Sequence, residues 1–510
     1  MKAALAVLLC IAAAAPVHGQ APAADSVRAS RERALRVLED AARALGGRDA
    51  LAGSRGWEVR YAGTVRNAWQ QARRWTDTTA TNPSETRVVL DLAGRRAVRE
   101  TRSGAPGGIW FRFRTVFDTA GARQVDLLRW RTGVDVARAP AAQAGASLAG
   151  LERLLPHTAV RQALAADSLR FAGEAEHGGR RLQATSWRDA AGRAATLWTD
   201  AATGLPAEVS GDAAGSVLEW SDYRAVDGVR VPHRQVVRAG GRVFSDARVE
   251  RVDVRPSLPD SLFALPAGYA DPPAPGEPRA TRIADGVYRL DGMPGGYHAA
   301  FVVQDDGVTV LEAPTSPQYT QVALRLMGEA APGKPVRRVL VTHHHADHVG
   351  GLAPYVAAGA EVVTGAEVEE AVRRQLPDSL RARARFRGVA GRASFGAGAG
   401  RVEVYAVPNT HADGSLAFHL PAARVLFQGD LFYVPERGPV PPAFPVTEAL
   451  ERVVREHGLA VEAVVGVHGR TATPAEMRES LRLGAAPRQR PLSAELTPPG
   501  RRKPGGGWPP

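Results

Sequence analysis

Two reactive side chains are almost missing from this sequence. Of 510 residues only one is a cysteine, Cys10, and it lies inside an N-terminal apolar stretch. Beyond that stretch no thiolate exists to bind a metal, attack a carbonyl or close a disulfide. Lysine is nearly as scarce, at Lys2, Lys334 and Lys503, so the net charge of +12 is carried almost wholly by arginine. Those arginines are scattered through the chain rather than gathered into a stripe. That pattern reads as a compositional bias and argues against a nucleic-acid partner, whose electrostatic footprint is clustered. Long apolar runs are absent as well. The run from Ala3 to Ala15 is too short to span a bilayer. One lysine before it and a small-residue exit near Val17 to Gly19 make residues 1–20 a cleaved secretory signal peptide, with an uncleaved anchor as the alternative. Leu9 stands where a lipidated cysteine wants a small neighbour. The expected destination is the periplasm or the exterior, with no integral membrane segment after cleavage.

What is present suffices for two folded domains. Residues 25–266 open with a helix carrying Leu35, Leu38, Ala42 and Leu45 at helical spacing, stopped by Gly46-Gly47. The period then changes. "IWFRFRTVFDTAGARQVDLL" alternates apolar and charged residues and turns at Asp118 to Gly121; similar turns fall at Ala190 to Gly192 and at Gly240-Gly241. Alternation broken by such turns predicts antiparallel hairpins with one buried face. Residues 267–279, rich in proline, form the expected linker, residues 280–482 a second domain, and residues 483–510 a disordered tail. No internal repeat is visible.

The second domain holds the chemistry. "VLVTHHHADHVGGL", Val339 to Leu352, places four of the thirteen histidines within six positions, with an aspartate among them. Imidazoles crowded in this way repel one another when protonated, and a metal ion is the plain remedy. The cluster follows the apolar strand "RRVLVT" and precedes a helix, the kind of strand end at which α/β folds build sites. Further donors follow other apolar runs: His411 in "VPNTHADG", Asp430 after "RVLFQGD" and His468 in "VEAVVGVHG". His419 alternates within a strand and reads as packing; His298, His344 and His457 are weaker candidates.

The pattern His343-x-His345-x-Asp347-His348, followed by His411, Asp430 and His468, resembles the ligand set of the metallo-β-lactamase superfamily. The resemblance implies an α+β chain with a C-terminal αββα sandwich, preceded by the mainly antiparallel β domain. It implies that His343, His345 and His411 hold one metal and that Asp347, His348 and His468 hold a second, with Asp430 bridging. Two zinc ions per chain are the implied cofactor, with manganese or iron as alternatives. The implied activity is hydrolysis of an ester, lactone, thioester or amide of a small-molecule substrate by a metal-bridging hydroxide, with Asp347 orienting it.

The departures from the family's pattern narrow the choice. Asp430 replaces the bridging-position cysteine of the commonest zinc β-lactamases, which disfavours that class and leaves β-lactam hydrolysis as an alternative. Tyr433, three residues on, matches a tyrosine that lactonases use on the substrate carbonyl; its plain reading is a packed rim aromatic. Glu312 stands where the family places an aspartate behind the metal loop. A mono-iron persulfide dioxygenase keeps the same histidines and remains a second alternative. The N-terminal domain resembles the β half-barrel of outer-membrane lipoprotein carriers. That resemblance implies a concave sheet wrapping a helix or a hydrophobic, lipid-like ligand; the plain reading is a structural or docking domain. A non-catalytic envelope module led by that domain is the third alternative.

Overall fold

The computed structural model describes residues 24–66, 73–189, 192–211, 215–274 and 276–484. The expected signal segment, residues 1–20, and most of the expected tail lie outside these, as do two residues of the expected 190–192 turn. Among the described residues no helix is long and apolar enough to cross a membrane.

The N-terminal half is one antiparallel sheet of thirteen strands. Its first six are β1 (Gly56–Val65), β2 (Asn82–Asp91), β3 (Arg96–Ala105), β4 (Ile109–Asp118), β5 (Gly121–Asp126) and β6 (Ala137–Pro140). They are followed by β7 (Arg170–His177), β8 (Arg180–Arg188), β9 (Ala194–Asp200), β10 (Pro206–Ser210), β11 (Val217–Val226), β12 (Val229–Ala239) and β13 (Arg242–Asp253). The two runs meet where β1 pairs with β13. Alternation decides the faces: Trp57, Val59 and Tyr61 of β1 are buried together with Val88, Leu90 and Phe117, while Glu58 and Arg60 point the other way.

Helices fill the buried face. Helix α1 (Ala24–Leu45) packs Ala34, Leu38 and Leu45 against Trp187, Leu197 and Trp220. It ends at Gly46, whose φ of 129° and whose 2.8 Å clearance between a would-be Cβ and Gly228 O admit glycine alone. Helix α2 (Arg48–Gly53) follows, and α3 (Ala141–Glu152) and α4 (Pro156–Leu164) complete the layer. Helices thus cover this face of the sheet.

The C-terminal half is a sandwich of two sheets. The first runs β14 (Arg279–Ala284), β15 (Val287–Asp291), β16 (Ala300–Gln304), β17 (Gly307–Leu311), β18 (Val336–Leu340), β19 (Glu361–Gly365) and β20 (Phe386–Val389). The second runs β21 (Arg392–Phe395), β22 (Val402–Ala406), β23 (Leu416–Leu420), β24 (Val425–Gln428) and β25 (Ala463–Gly466). Their inner faces share one core, in which Phe301, Val310 and Val339 meet Phe418, Phe427 and Val465. Helix α5 (Pro317–Ala330) covers the outer face of the first sheet with Tyr319 and Ala323. Helix 446–456 covers the second, with Leu450 among Tyr405 and Leu426. This is the αββα layering that the sequence led one to expect.

The halves are joined by a hydrophobic cluster in which Ala105, Ile109 and Trp130 of the first half pack with Tyr433, Phe444 and Val446 of the second. The proline-rich segment is held against this junction. Tyr269 donates to Asp126 O at 2.8 Å, and Asp271 pairs with Arg138 at 2.6 Å.

Candidate metal centre

Each candidate donor stands just beyond the C-terminal end of a strand. His343 and His345 follow β18, with Asp347 and His348 in the short helix 346–349; His411 follows β22, Asp430 follows β24 and His468 follows β25. Strand order brings these ends to one edge of the sandwich. The donor atoms of His343, His345, His411 and Asp430 lie within 4.8 Å of one another, and so do those of Asp347, His348 and His468. Asp430 touches both groups. Its Oδ2 lies 3.4 Å from His411 Nε2 and 3.9 Å from His343 Nε2, while its Oδ1 lies 3.2 Å from Nε2 of both His348 and His468. Close approach behind it needs Gly429, where a Cβ would sit 2.4 Å from Thr342 Oγ1.

One carboxylate fixes the orientation of the histidine loop. Glu312, fully buried at φ 83°, accepts the Thr342 amide at 3.1 Å and the Thr342 hydroxyl at 2.5 Å. It also accepts His348 Nδ1 at 3.1 Å. Having given its proton to Glu312, Thr342 Oγ1 accepts from His343 Nδ1 at 3.1 Å. Both rings are thereby held with Nδ1 protonated and Nε2 turned inward. Where the sequence departs from the family's aspartate, the longer side chain makes the supporting contacts.

The electrostatics suit a cation. Burial, then the neighbouring imidazoles, push His343 and His345 well below their ordinary pKa, and burial lowers His468, so their lone pairs are free. Burial opposes charge on His348, yet Asp430 and Asp347 hold it well above its ordinary value. Burial opposes charge on Asp430, which His348 and His468 nonetheless keep well below the carboxylate range. His343 Nε2 and His345 Nδ1 converge to 3.0 Å, and His345 Nε2, His411 Nε2 and Asp347 Oδ1 are buried with no hydrogen-bond partner. Lone pairs that converge around carboxylates in a buried pocket fit divalent metal ions.

The weaker candidates stand apart from this cluster. His298 joins Arg289 and Glu436, His419 hydrogen-bonds Ala460 O, and His457 packs on Tyr405. His344 packs edge-on to His345. Tyr433 is buried, its ring stacked 5.3 Å from that of His468 and its hydroxyl donated to Arg131 O at 3.3 Å. Sequence reasoning missed two contributors. Tyr297, in the loop before β16, donates to Asp347 Oδ2 at 3.0 Å and packs 4.4 Å from the His468 ring. Pro106 of the N-terminal half accepts His411 Nδ1 at 3.1 Å.

Residues 293–468 match the Metallo-beta-lactamase superfamily. The C-terminal half carries a domain of that superfamily. A 2,4-dinitroanisole O-demethylase subunit alpha from Nocardioides sp. is 26% identical over 239 residues, 46% of this chain and 67% of that protein. A hydroxyacylglutathione hydrolase from Brucella ovis is 31% identical over 118 residues, 23% of this chain. The match spans only 42% of that hydrolase. Among solved structures, a metallo-beta-lactamase from Pontibacter korlensis aligns over 41% of this chain and 100% of its own, at 21% identity and a TM-score of 0.34. In this metallo-beta-lactamase domain the donor cluster lies within the matched segment and ends at its last residue, His468.

Proposed function

We propose that the protein is a secreted or periplasmic metal-dependent hydrolase that cleaves an ester, lactone, thioester or amide of a small molecule. The observation that carries this reading is Asp430, whose two oxygens address the two donor groups separately. His343, His345 and His411 would hold one ion, Asp347, His348 and His468 another, with Asp430 between them; zinc suits the all-nitrogen and oxygen set. Two bound dications would lower the pKa of water and polarise the carbonyl under attack. The protein's own residues supply the remainder. Glu312 orients His343 and His348 through Thr342 and directly. Tyr297 holds Asp347 by Oδ2, which leaves Oδ1 to accept the proton of the attacking water. Tyr433 braces His468 from the side, and in this reading it positions that ligand.

The test is metal content together with turnover of a chromogenic panel of lactone, thioester, aryl ester, phosphodiester and cephalosporin. Two metals per chain are expected, with preference for one carbonyl class and a loss of about 10²–10⁴-fold in kcat in Asp347→Ala. Protein that binds no metal and turns over nothing sinks the reading. Turnover of a persulfide with oxygen consumption, on one iron, would replace it by the dioxygenase alternative.

A further inference from the structure

The N-terminal domain reaches the metal centre with three connections from one end of its sheet. In the antiparallel order, β1 to β2, β3 to β4 and β5 to β6 all turn at that end. In the first connection Arg73 pairs with Asp413 at 2.8 Å, and Trp75 Nε1 donates to Glu367 O at 3.3 Å. The second places Pro106 O on His411, and Gly107 follows at φ 88°, where a Cβ would lie 3.0 Å from His411 Cβ. The third carries Trp130, wedged 4.4 Å from the Tyr433 ring and 4.7 Å from that of Phe444.

That wedge fixes the residue after it. The Arg131 amide donates to Asp126 Oδ2 at 2.6 Å, and its carbonyl accepts from Tyr433. Its guanidinium donates to Tyr297 Oη at 3.3 Å, the same hydroxyl that donates to Asp347. One tyrosine oxygen therefore separates this cation from a candidate metal ligand. Other arginines of the junction are neutralised: Arg73 by Asp413, Arg138 by Asp271 and Arg437 by Asp135. Arg131 is solvent-exposed and, among the described residues, forms no ion pair. Its backbone is fully engaged while its charged head is held ready.

We propose that Arg131, lent by the N-terminal domain, is the substrate-selecting residue of the metal centre and binds a carboxylate that the substrate carries close to the bond being cut. This rests on the hydrolase reading for the bond but not for the anion. A guanidinium matches a carboxylate with two parallel hydrogen bonds. A site built for such a pair discriminates strongly against a neutral analogue that leaves the cation unmatched. The fold thereby gives the β domain a task in the reaction: it lends specificity to the neighbouring domain.

The experiment compares wild type, Arg131→Met and Arg131→Lys as metal-loaded full chains on two esters that differ only in a free against a methyl-capped carboxylate on the acyl chain. Binding of succinate to the metal-free proteins is followed in parallel through tryptophan emission. Wild type should favour the anionic ester by at least about tenfold in kcat/KM. In Arg131→Met that ratio should collapse toward one, chiefly through KM, and succinate binding should weaken by about tenfold; Arg131→Lys should keep part of both. Equal slowing of both esters, or succinate binding indifferent to the substitution, overturns the proposal. If metal-loaded wild type cleaves neither ester, the ester branch of the hydrolase reading fails, and the succinate arm still decides Arg131. Should Arg131→Met not fold, as judged by circular dichroism, Arg131→Lys carries the comparison, and an unchanged ester ratio with unchanged succinate binding in it counts against the anion site.

Discussion

The two halves bury charge in opposite ways. On the N-terminal sheet Arg60 and Arg87 stand directly across from each other, and Glu58 neutralises both, at 3.0 Å and 2.9 Å. Arg114 pairs with Glu100 across the next strands, and Arg153 pairs with Asp189 at 2.9 Å. These groups complete one another. At the sandwich edge, buried histidines point their lone pairs at one another and at Asp430, and several donor atoms have no partner. Both arrangements hold buried polar residues, but only the second calls for something from outside the chain. The arginines in these pairs are structural, which is why arginine content carries so little information about partners here.

The contrast breaks most visibly at the junction, where the halves share the Trp130 cluster. Trp130→Ala should cost about 3–5 kcal/mol by removing a buried aromatic from a packed site. Because that cluster spans both halves, the loss should also separate one unfolding transition into two when tryptophan emission and far-ultraviolet circular dichroism are followed in denaturant. A single transition that merely shifts would mean that the halves are coupled elsewhere.

Metal sharpens the contrast next. Zinc at a hundred times its Kd should stabilise the protein by about 2.7 kcal/mol per bound ion, and a chelator should remove that gain; in Trp130→Ala only the transition of the C-terminal half should respond. Glu312→Gln should weaken metal binding by about 10–100-fold, because an amide with one oxygen cannot accept the Thr342 amide, the Thr342 hydroxyl that orients His343, and His348 Nδ1 together. Competition with a chromogenic chelator measures it; an unchanged affinity would mean the loop is held without Glu312.

How far the sequence foretold this division depends on the kind of signal. The donors were readable because each follows a short apolar strand, and period-two burial leaves the residue past the strand end at the edge of the sandwich. The β domain's hairpins were readable from alternation and turns. Its contribution to the site was not. Arg131 is one arginine in an arginine-rich chain, and Pro106 acts through a backbone carbonyl, which has no side-chain signature. Tyr297 lies in a loop before β16, where neither period nor composition marks it. Glu312 was visible as a departure, but only its geometry at φ 83° shows that the longer chain reaches both Thr342 and His348.

The smallest effect belongs to the self-sufficient side of the contrast. Burial disfavours the Glu58 carboxylate, yet the Arg87 and Arg60 guanidiniums outweigh it and hold the group below its ordinary range. A depressed folded-state pKa stabilises the fold at pH above the unfolded value, and the contribution drains away as pH falls through the folded one. Glu58→Gln should cost about 1–3 kcal/mol near neutrality, the worth of hydrogen bonds to a charged group, and should flatten the acid limb of the stability curve below the ordinary glutamate pKa. Denaturant midpoints from pH 3 to pH 7 read both. If the variant kept the full acid slope, the carboxylate responsible would lie elsewhere on the sheet. If it lost nothing at pH 7, the Glu58 cluster would be a solvated surface network, and the claim that this sheet satisfies its own buried charge would have to rest on Asp189 and Glu100 alone.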